Sequence, residues 1–165
     1  MTISRRADWN FILSHPAYFI AFGFGSGLAP SAPGTAGTLF ALPMFAAFLL
    51  LGFTQQALAW ACIPAFLVGC WICEITGKAL GHPDHGGMVW DEMVSMWLLL
   101  SFLPTNAMTW SVAFIVFRFF DTIKPWPISW LDRRVKGGIG VMLDDLIAAG
   151  FSLLVMTIVL QNDLI

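Results

Sequence analysis

Charge is what this sequence has least of. Asp, Glu, Lys and Arg together make 11% of its 165 residues, against about 25% in an ordinary soluble domain. Eight bases face ten acids, so the formal net charge is only −2. That excludes a basic stripe for nucleic acid and an acidic interaction tail, and the high apolar content excludes disorder. Cysteine is scarce as well. Cys62, Cys70 and Cys73 lie in one apolar run. Cys70 and Cys73 form C-x-x-C, but no βαβ pattern surrounds them and no second pair completes a zinc site. They read as thiols packed between helices and give no framework for extracellular bridging.

Missing motifs exclude several chemistries. There is no G-x-x-x-x-G-K-[ST] phosphate loop and no G-x-S-x-G elbow. No cysteine is followed six positions later by arginine, and Asp121 is followed two positions later by Ile123, so two common phosphatase signatures are absent. Gly23, Gly25 and Gly27 follow no strand, and G-x-x-x-G alone means close helix packing. A cleavable leader is not expected. The apolar stretch after Arg5 and Arg6 is broken by His15-Pro16 and by glycines from Gly23 onward.

What the chain does have is apolar surface. Hydrophobic residues make 58%, aromatics 15%, and the mean hydropathy is +0.79. A soluble globule cannot hide so much, which implies an integral membrane protein. The length suits one domain over 1–165. Residues 17–38 are apolar but rich in Gly and Pro. Pro30 and Pro33 forbid an undisturbed helix there, so a short or re-entrant helix and an irregular loop are expected. Irregular backbone at membrane depth must be buried in protein or face water, which makes the loop a candidate wall of a polar cavity.

Apolar spans are expected at 35–53, with Thr35 as N-cap, and at 57–73. A charged loop at 74–92 follows. Residues 93–120 are apolar but interrupted by Pro104-Thr105-Asn106, 121–145 are charged, and 146–160 form the last span. Reading 93–120 as two segments places all eight Lys and Arg residues on one side or at its boundary. The positive-inside rule makes that side cytoplasmic. The expectation is therefore an all-α polytopic bundle of about five membrane-associated segments, with the charged site at the cytoplasmic face. The third segment is short of the ~20 residues a crossing needs. It begins near Val89 or dips partway into the bilayer.

Five carboxylates fall at the ends of these segments: Asp91 and Glu92, Asp121, and Asp144 and Asp145. Acids at membrane depth are costly unless paired or bound to a cation, so they mark function by default. Four of them would lie near helix N-termini, where negative charge is favoured and helix initiation is the equal alternative reading of any one alone. Asp121 would lie near a C-terminus and needs a positive partner. Arg118 at i−3 supplies one, and a metal ion is the other answer. Crowded carboxylates need protons or a cation between them. Oxygen ligands with few histidines point to Mg²⁺ or Mn²⁺ rather than Zn²⁺.

Asp121-Thr122-Ile123-Lys124-Pro125-Trp126-Pro127 is the most specific local feature. Pro125 pushes Lys124 out of the helical region, giving a rigid helix exit. A fixed Lys beside a fixed carboxylate suits a phosphate next to a metal. A snorkelling Lys above a Trp126 and Trp130 belt fits equally. Arg133, Arg134 and Lys136 suit anionic headgroups or plain anchoring. His82 and His85 flank Asp84 either as metal ligands or a proton shuttle, or as loop residues near the site.

Four motifs in order resemble the phosphatidylglycerophosphatase A family. They are Gly25-Ser26-Gly27-Leu28-Ala29-Pro30 with Pro33-Gly34-Thr35-Ala36-Gly37-Thr38; Val89-Trp90-Asp91-Glu92; Phe117 through Pro127; and Gly137 through Asp145. The resemblance covers about residues 15–150. It implies an all-helical, Mg²⁺-dependent lipid phosphatase of the bacterial inner membrane. Its substrate would be phosphatidylglycerophosphate and its products phosphatidylglycerol and phosphate. Asp91, Glu92, Asp121, Asp144 and Asp145 carry over as metal-site residues, and Asp121, Lys124 and Asp91 as catalytic ones. Lys124, Arg118, Thr35 and Thr38 are expected at the phosphate, and Arg133 and Arg134 at the headgroup. Glu74 lies outside these four motifs and is a further candidate. Direct water attack is preferred, with a covalent aspartyl-phosphate on Asp121 as the alternative. A homo-oligomer stays open. Two other classes compete: a small cation or proton transporter using the carboxylates, and a non-catalytic membrane subunit.

The topology has a direct check. Single cysteines at Thr54 and His85 are expected to react from opposite sides of the membrane with an impermeant thiol reagent. Equal labelling of both in intact cells contradicts it.

Overall fold

The computed structural model describes residues 7–165, apart from the side chain of Asp132. Arg5 and Arg6, which contribute to the positive side, lie outside the described residues. The described chain is helical. Short helices α1 (Trp9–Leu13) and α2 (Pro16–Ala21) lead into a 3-10 segment, Gly23–Leu28, and then to α3 (Pro33–Leu50), α4 (Gln55–Leu80) and α5 (Trp90–Leu100). After these come α6 (Ala107–Ile123), α7 (Ile128–Arg134) and α8 (Gly137–Gln161).

Local chemistry sets the boundaries. Pro33 opens α3 after Ala32, which is left-handed, so Thr35 sits in the first turn and is not the expected cap. Thr54 caps α4 by accepting from the Ala57 amide at 3.1 Å, and Gly81 ends it at φ 75°. This helix swallows the first part of the expected 74–92 loop, and Glu74 and Lys78 are helical. Asn106 caps α6, accepting from the Thr109 amide at 2.8 Å. The largest difference is in α8. It begins at Gly137, not near 146, so Asp144 and Asp145 lie two turns inside it. The dipole of a helix end, which acts over the first turn, does not hold these two acids.

α5 sits at the centre, packed by α3, α4, α6 and α8. Met93, Met96 and Leu100 on it are fully buried. At one end Gln55 Nε2 donates to the carbonyls of Leu100 and Leu103 at 2.9 and 2.7 Å, tying the start of α4 to the end of α5. At the other end α8 meets α4 so closely that a Cβ on Gly138 would stand 1.9 Å from the Cys70 carbonyl oxygen.

Three helices are long and apolar enough to cross a membrane: α3, α4 and α8. At ~1.5 Å per residue α4 is about 39 Å long and α8 about 37 Å, against a hydrocarbon core of ~30 Å. Leu50, Trp60, Leu67, Trp71, Ile115, Leu154 and Ile158 are exposed along the bundle and form a lipid-facing surface. α5 has 11 residues and spans about 16 Å, so it reaches only partway. α6 has 17. Of the expected five or so membrane-associated segments, three are helices long enough to cross, α6 is of intermediate length, and α5 is half-length and enclosed by protein. The Gly23–Leu28 segment is irregular and enclosed as expected, with Gly23 and Gly27 buried and positive φ at Phe24 and Gly25, but no residue of 17–38 lines the acidic cavity, so it is not the expected wall.

The α4–α8 contact gives a stability test. Gly138→Ala is expected to cost about 1–3 kcal/mol, because backbone stands where the methyl would go. Gly150, on the same helix, has nothing within 4 Å of a built Cβ. Gly150→Ala is expected to be neutral or stabilising by up to about 1 kcal/mol. Thermal unfolding in detergent reads both, and equal midpoints contradict the packing.

Candidate active site

Four pieces of chain meet at the charged end of the bundle. The first turn of α5 brings Asp91 and Glu92. Its start is pinned by the Val89 amide donating to the Ala21 carbonyl at 2.8 Å and by Trp90 Nε1 donating to the Ala65 carbonyl at 3.1 Å. The last turns of α6 bring Arg118 and Asp121. Lys124 follows at the helix exit, left-handed at φ 46° and ψ 59°, so it leaves the right-handed helix as Pro125 requires. The second and third turns of α8 bring Val141, Asp144 and Asp145. The loop between α4 and α5 brings Asp84, Gly86 and Met88. These residues, apart from Arg118, line a cavity of about 120 Å³. That is about four water volumes, room for a phosphate group rather than a whole lipid headgroup.

All five expected acids and Lys124 therefore reach one cavity. Asp91, Asp121, Asp144 and Asp145 are 7%, 8%, 4% and 4% exposed. Part of their charge is offset internally. Nη1 of Arg118 donates to Asp121 Oδ2 at 2.5 Å, Glu92 Oε1 at 3.0 Å and Thr38 Oγ1 at 3.3 Å. Lys124 Nζ donates to Asp144 Oδ2. A glycine in α3 makes the first arrangement fit. A Cβ at Gly34 would lie 2.0 Å from Glu92 Oε1.

The remainder is not offset. Among the described residues, Asp91 Oδ1, Glu92 Oε2 and Asp145 Oδ2 are buried with no hydrogen-bond partner. Six carboxylates line the cavity with one lysine, and Arg118 stands behind two of them. Buried carboxylates without partners cost several kcal/mol each, and the usual remedies are protons or a bound cation. Hard oxygen donors with free lone pairs suit Mg²⁺ by their chemistry. Among the described residues, no three His, Cys, Asp or Glu side chains already stand in a coordinating arrangement. The donors fit a divalent cation in kind, and bringing them onto one takes side-chain rotation.

The other expected residues lie outside the cavity lining. Thr38 is buried, donates to the Gly34 carbonyl at 2.9 Å and accepts from Arg118. It meets the acids through the guanidinium. Thr35 is half-buried in the first turn of α3. Arg133 and Arg134 are exposed on α7, with the Arg134 guanidinium 5.1 Å from the Trp130 ring centre. Glu74 caps α8, accepting from the Gly138 amide at 2.8 Å, and pairs with Lys78. His82 is exposed. His85 packs on Phe22, and its Nδ1 accepts from the Gly87 amide at 3.0 Å. Burial, with the His82 charge adding to it, holds the His85 imidazole below the ordinary histidine range.

Sequence reasoning missed Asp84 and Val141 as lining residues. Asp84 stood between two histidines that drew the attention. Val141 lies three and four positions before the paired acids, on one helical face, a relation visible only with α8 begun at Gly137.

Comparisons with known proteins show what the chain is similar to. The family model described as Phosphatidylglycerophosphatase A matches residues 19–160. A phosphatidylglycerophosphatase A of Escherichia coli is 43% identical over 141 residues, which is 85% of this chain and 81% of the relative. One from Haemophilus influenzae is 39% identical over 145 residues, 87% of this chain and 88% of the relative. No solved structure matches.

The Arg118 arrangement makes a prediction. Arg118→Ala leaves Glu92 and Asp121 buried without their cation and is expected to cost about 3 kcal/mol. Thr38→Val removes two hydrogen bonds, to the Gly34 carbonyl and from Arg118, and is expected to cost about 1–2 kcal/mol. Denaturation in detergent checks the order, and equal losses contradict it.

Proposed function

The chain belongs to the phosphatidylglycerophosphatase A family, and we propose that it removes the terminal phosphate of phosphatidylglycerophosphate at the acid-lined cavity. The observation that carries this siting is the convergence of five acids and Lys124, drawn from α5, α6 and α8, on one cavity of about 120 Å³. The lipid tails stay in the bilayer, and the phosphomonoester enters from the charged end. The six described Lys and Arg residues all lie toward that end. The positive-inside rule supports a cytoplasmic orientation, and the substrate's chemistry supports a bacterial inner membrane.

Asp91, Glu92, Asp144 and Asp145, with Asp121 beside them, would hold Mg²⁺. When bound, the ion offsets phosphate charge and lowers the pKa of a water. The chain's own groups do the rest. Lys124 turns from Asp144 to donate to the phosphate oxygens, where charge builds as the ester breaks. Arg118 fixes Asp121 and Glu92 and acts as a positioning residue. A water oxygen bonds to phosphorus as the ester P–O bond breaks. A cavity carboxylate takes the water's proton and passes it to the departing glycerol oxygen, so the products are phosphatidylglycerol and inorganic phosphate. Arg133 and Arg134, exposed on α7, attract the anionic surface by ~1 kcal/mol each.

Asp121→Asn and Asp145→Asn are each expected to lower phosphate release about a hundredfold or more while the protein still folds. Circular dichroism reads the fold, and a phosphate assay reads turnover. Wild-type turnover in both folded variants contradicts the siting.

A further inference from the structure

We propose that Asp84 is the cation-receiving carboxylate at the mouth of the cavity, and that the 81–89 loop is braced to hold it there. This rests on the metal-dependent phosphatase reading above. Asp84 lines the same cavity as the five expected acids. The four other aspartates there are buried, whereas Asp84 is exposed. Among the described residues, no hydrogen bond or salt bridge holds its carboxylate. It therefore faces water on one side and the acid cluster on the other.

The loop that carries it is held from several directions. The Val89 amide donates to the Ala21 carbonyl of α2 at 2.8 Å, and the Met88 amide to the His85 carbonyl at 2.8 Å. His85 packs on Phe22 and bonds the Gly87 amide. The backbones of Gly27 and Gly87 touch: a Cβ on Gly27 would lie 2.0 Å from the Gly87 oxygen. On the other flank a Cβ on Gly77 would lie 2.7 Å from the Pro83 oxygen. Ordering a surface loop costs about 1–2 kcal/mol per residue in backbone entropy. Here the ordered loop presents an unpaired carboxylate, which adds nothing to the fold.

A second observation points inward to a ligand. Asp91 and Asp145 are more than nine-tenths buried, line the same cavity, and each has an oxygen without a partner. Mg²⁺ gives up its waters reluctantly and usually keeps several. An exposed carboxylate at the rim meets such a hydrated ion while it still carries water, and the buried oxygens lie beyond. Asp84 then contributes one oxygen from the solvent side.

The test is Mn²⁺ binding to the purified full chain in detergent, read by electron paramagnetic resonance without substrate. The variants are Asp84→Asn, Asp84→Glu and, as an exposed acid at the far end, Asp163→Asn. Asp84→Asn is expected to weaken Mn²⁺ about ten- to a hundredfold, the range for losing a partner of a metal site. Asp84→Glu is expected to keep most of the affinity, and Asp163→Asn all of it. The thermal midpoint in chelator is expected to stay unchanged in all three. Wild-type affinity in Asp84→Asn overturns the inference and leaves the phosphatase reading standing. No Mn²⁺ binding by the wild type overturns both the inference and the metal reading.

Discussion

Carboxylates buried among apolar helices must be neutralised, and the rest of this structure follows from that constraint. Asp144 lies seven residues into α8, about 10 Å along its axis, and is 4% exposed. Water does not reach it freely. Arg118 and Lys124 answer part of the charge, each held at the last turn or exit of α6. Gly34 in α3 is small so that Glu92 can reach Arg118. Among the described residues, oxygens of Asp91, Glu92 and Asp145 remain buried without partners. A protein that only needed stability would do better with apolar residues at such positions. The unmet charge is the reason the proposed reaction is sited there.

The half-length α5 is the second consequence. A full-length helix would carry its N-terminus out to the interface. An 11-residue helix brings it to the depth of the acids. Its first turn holds Asp91 and Glu92 where the positive end of the peptide dipoles favours negative charge. The same end suits a phosphate beside them. The loop before it, being irregular, must be enclosed by protein at that depth. α1, α2 and the 3-10 segment supply that enclosure, with backbone contacts at Gly27 and Gly87 that only glycine permits.

Much of this was legible in the residues. Asp91, Glu92, Asp121, Lys124, Asp144 and Asp145 were readable because acids in a chain with 11% charge stand out, and because they occur beside Pro, Gly and Trp at segment ends. The number of long spans and the start of α8 were not legible. Gly137-Gly138-Ile139-Gly140 reads as a loop by propensity, since glycine disfavours helix. Tertiary contact reverses this. Gly138 sits against the Cys70 carbonyl and its amide is taken by Glu74, so small residues let α8 pack and start early. The places of Thr38 and Arg118 were hidden for a similar reason. Their meeting joins α3 to α6 across 80 positions, and no local pattern announces it. Asp84 was visible as a residue, but only the packing of its loop shows that it faces the acids.

The most direct test of the central claim is phosphate release from phosphatidylglycerophosphate by the purified protein in detergent. It is measured with Mg²⁺, after EDTA, and after Mg²⁺ is restored. The account predicts release with Mg²⁺, none with chelator, and recovery on restoring the ion. Release that continues unchanged in EDTA would contradict the metal role of the carboxylates. No release from folded protein under any divalent cation would contradict the site itself.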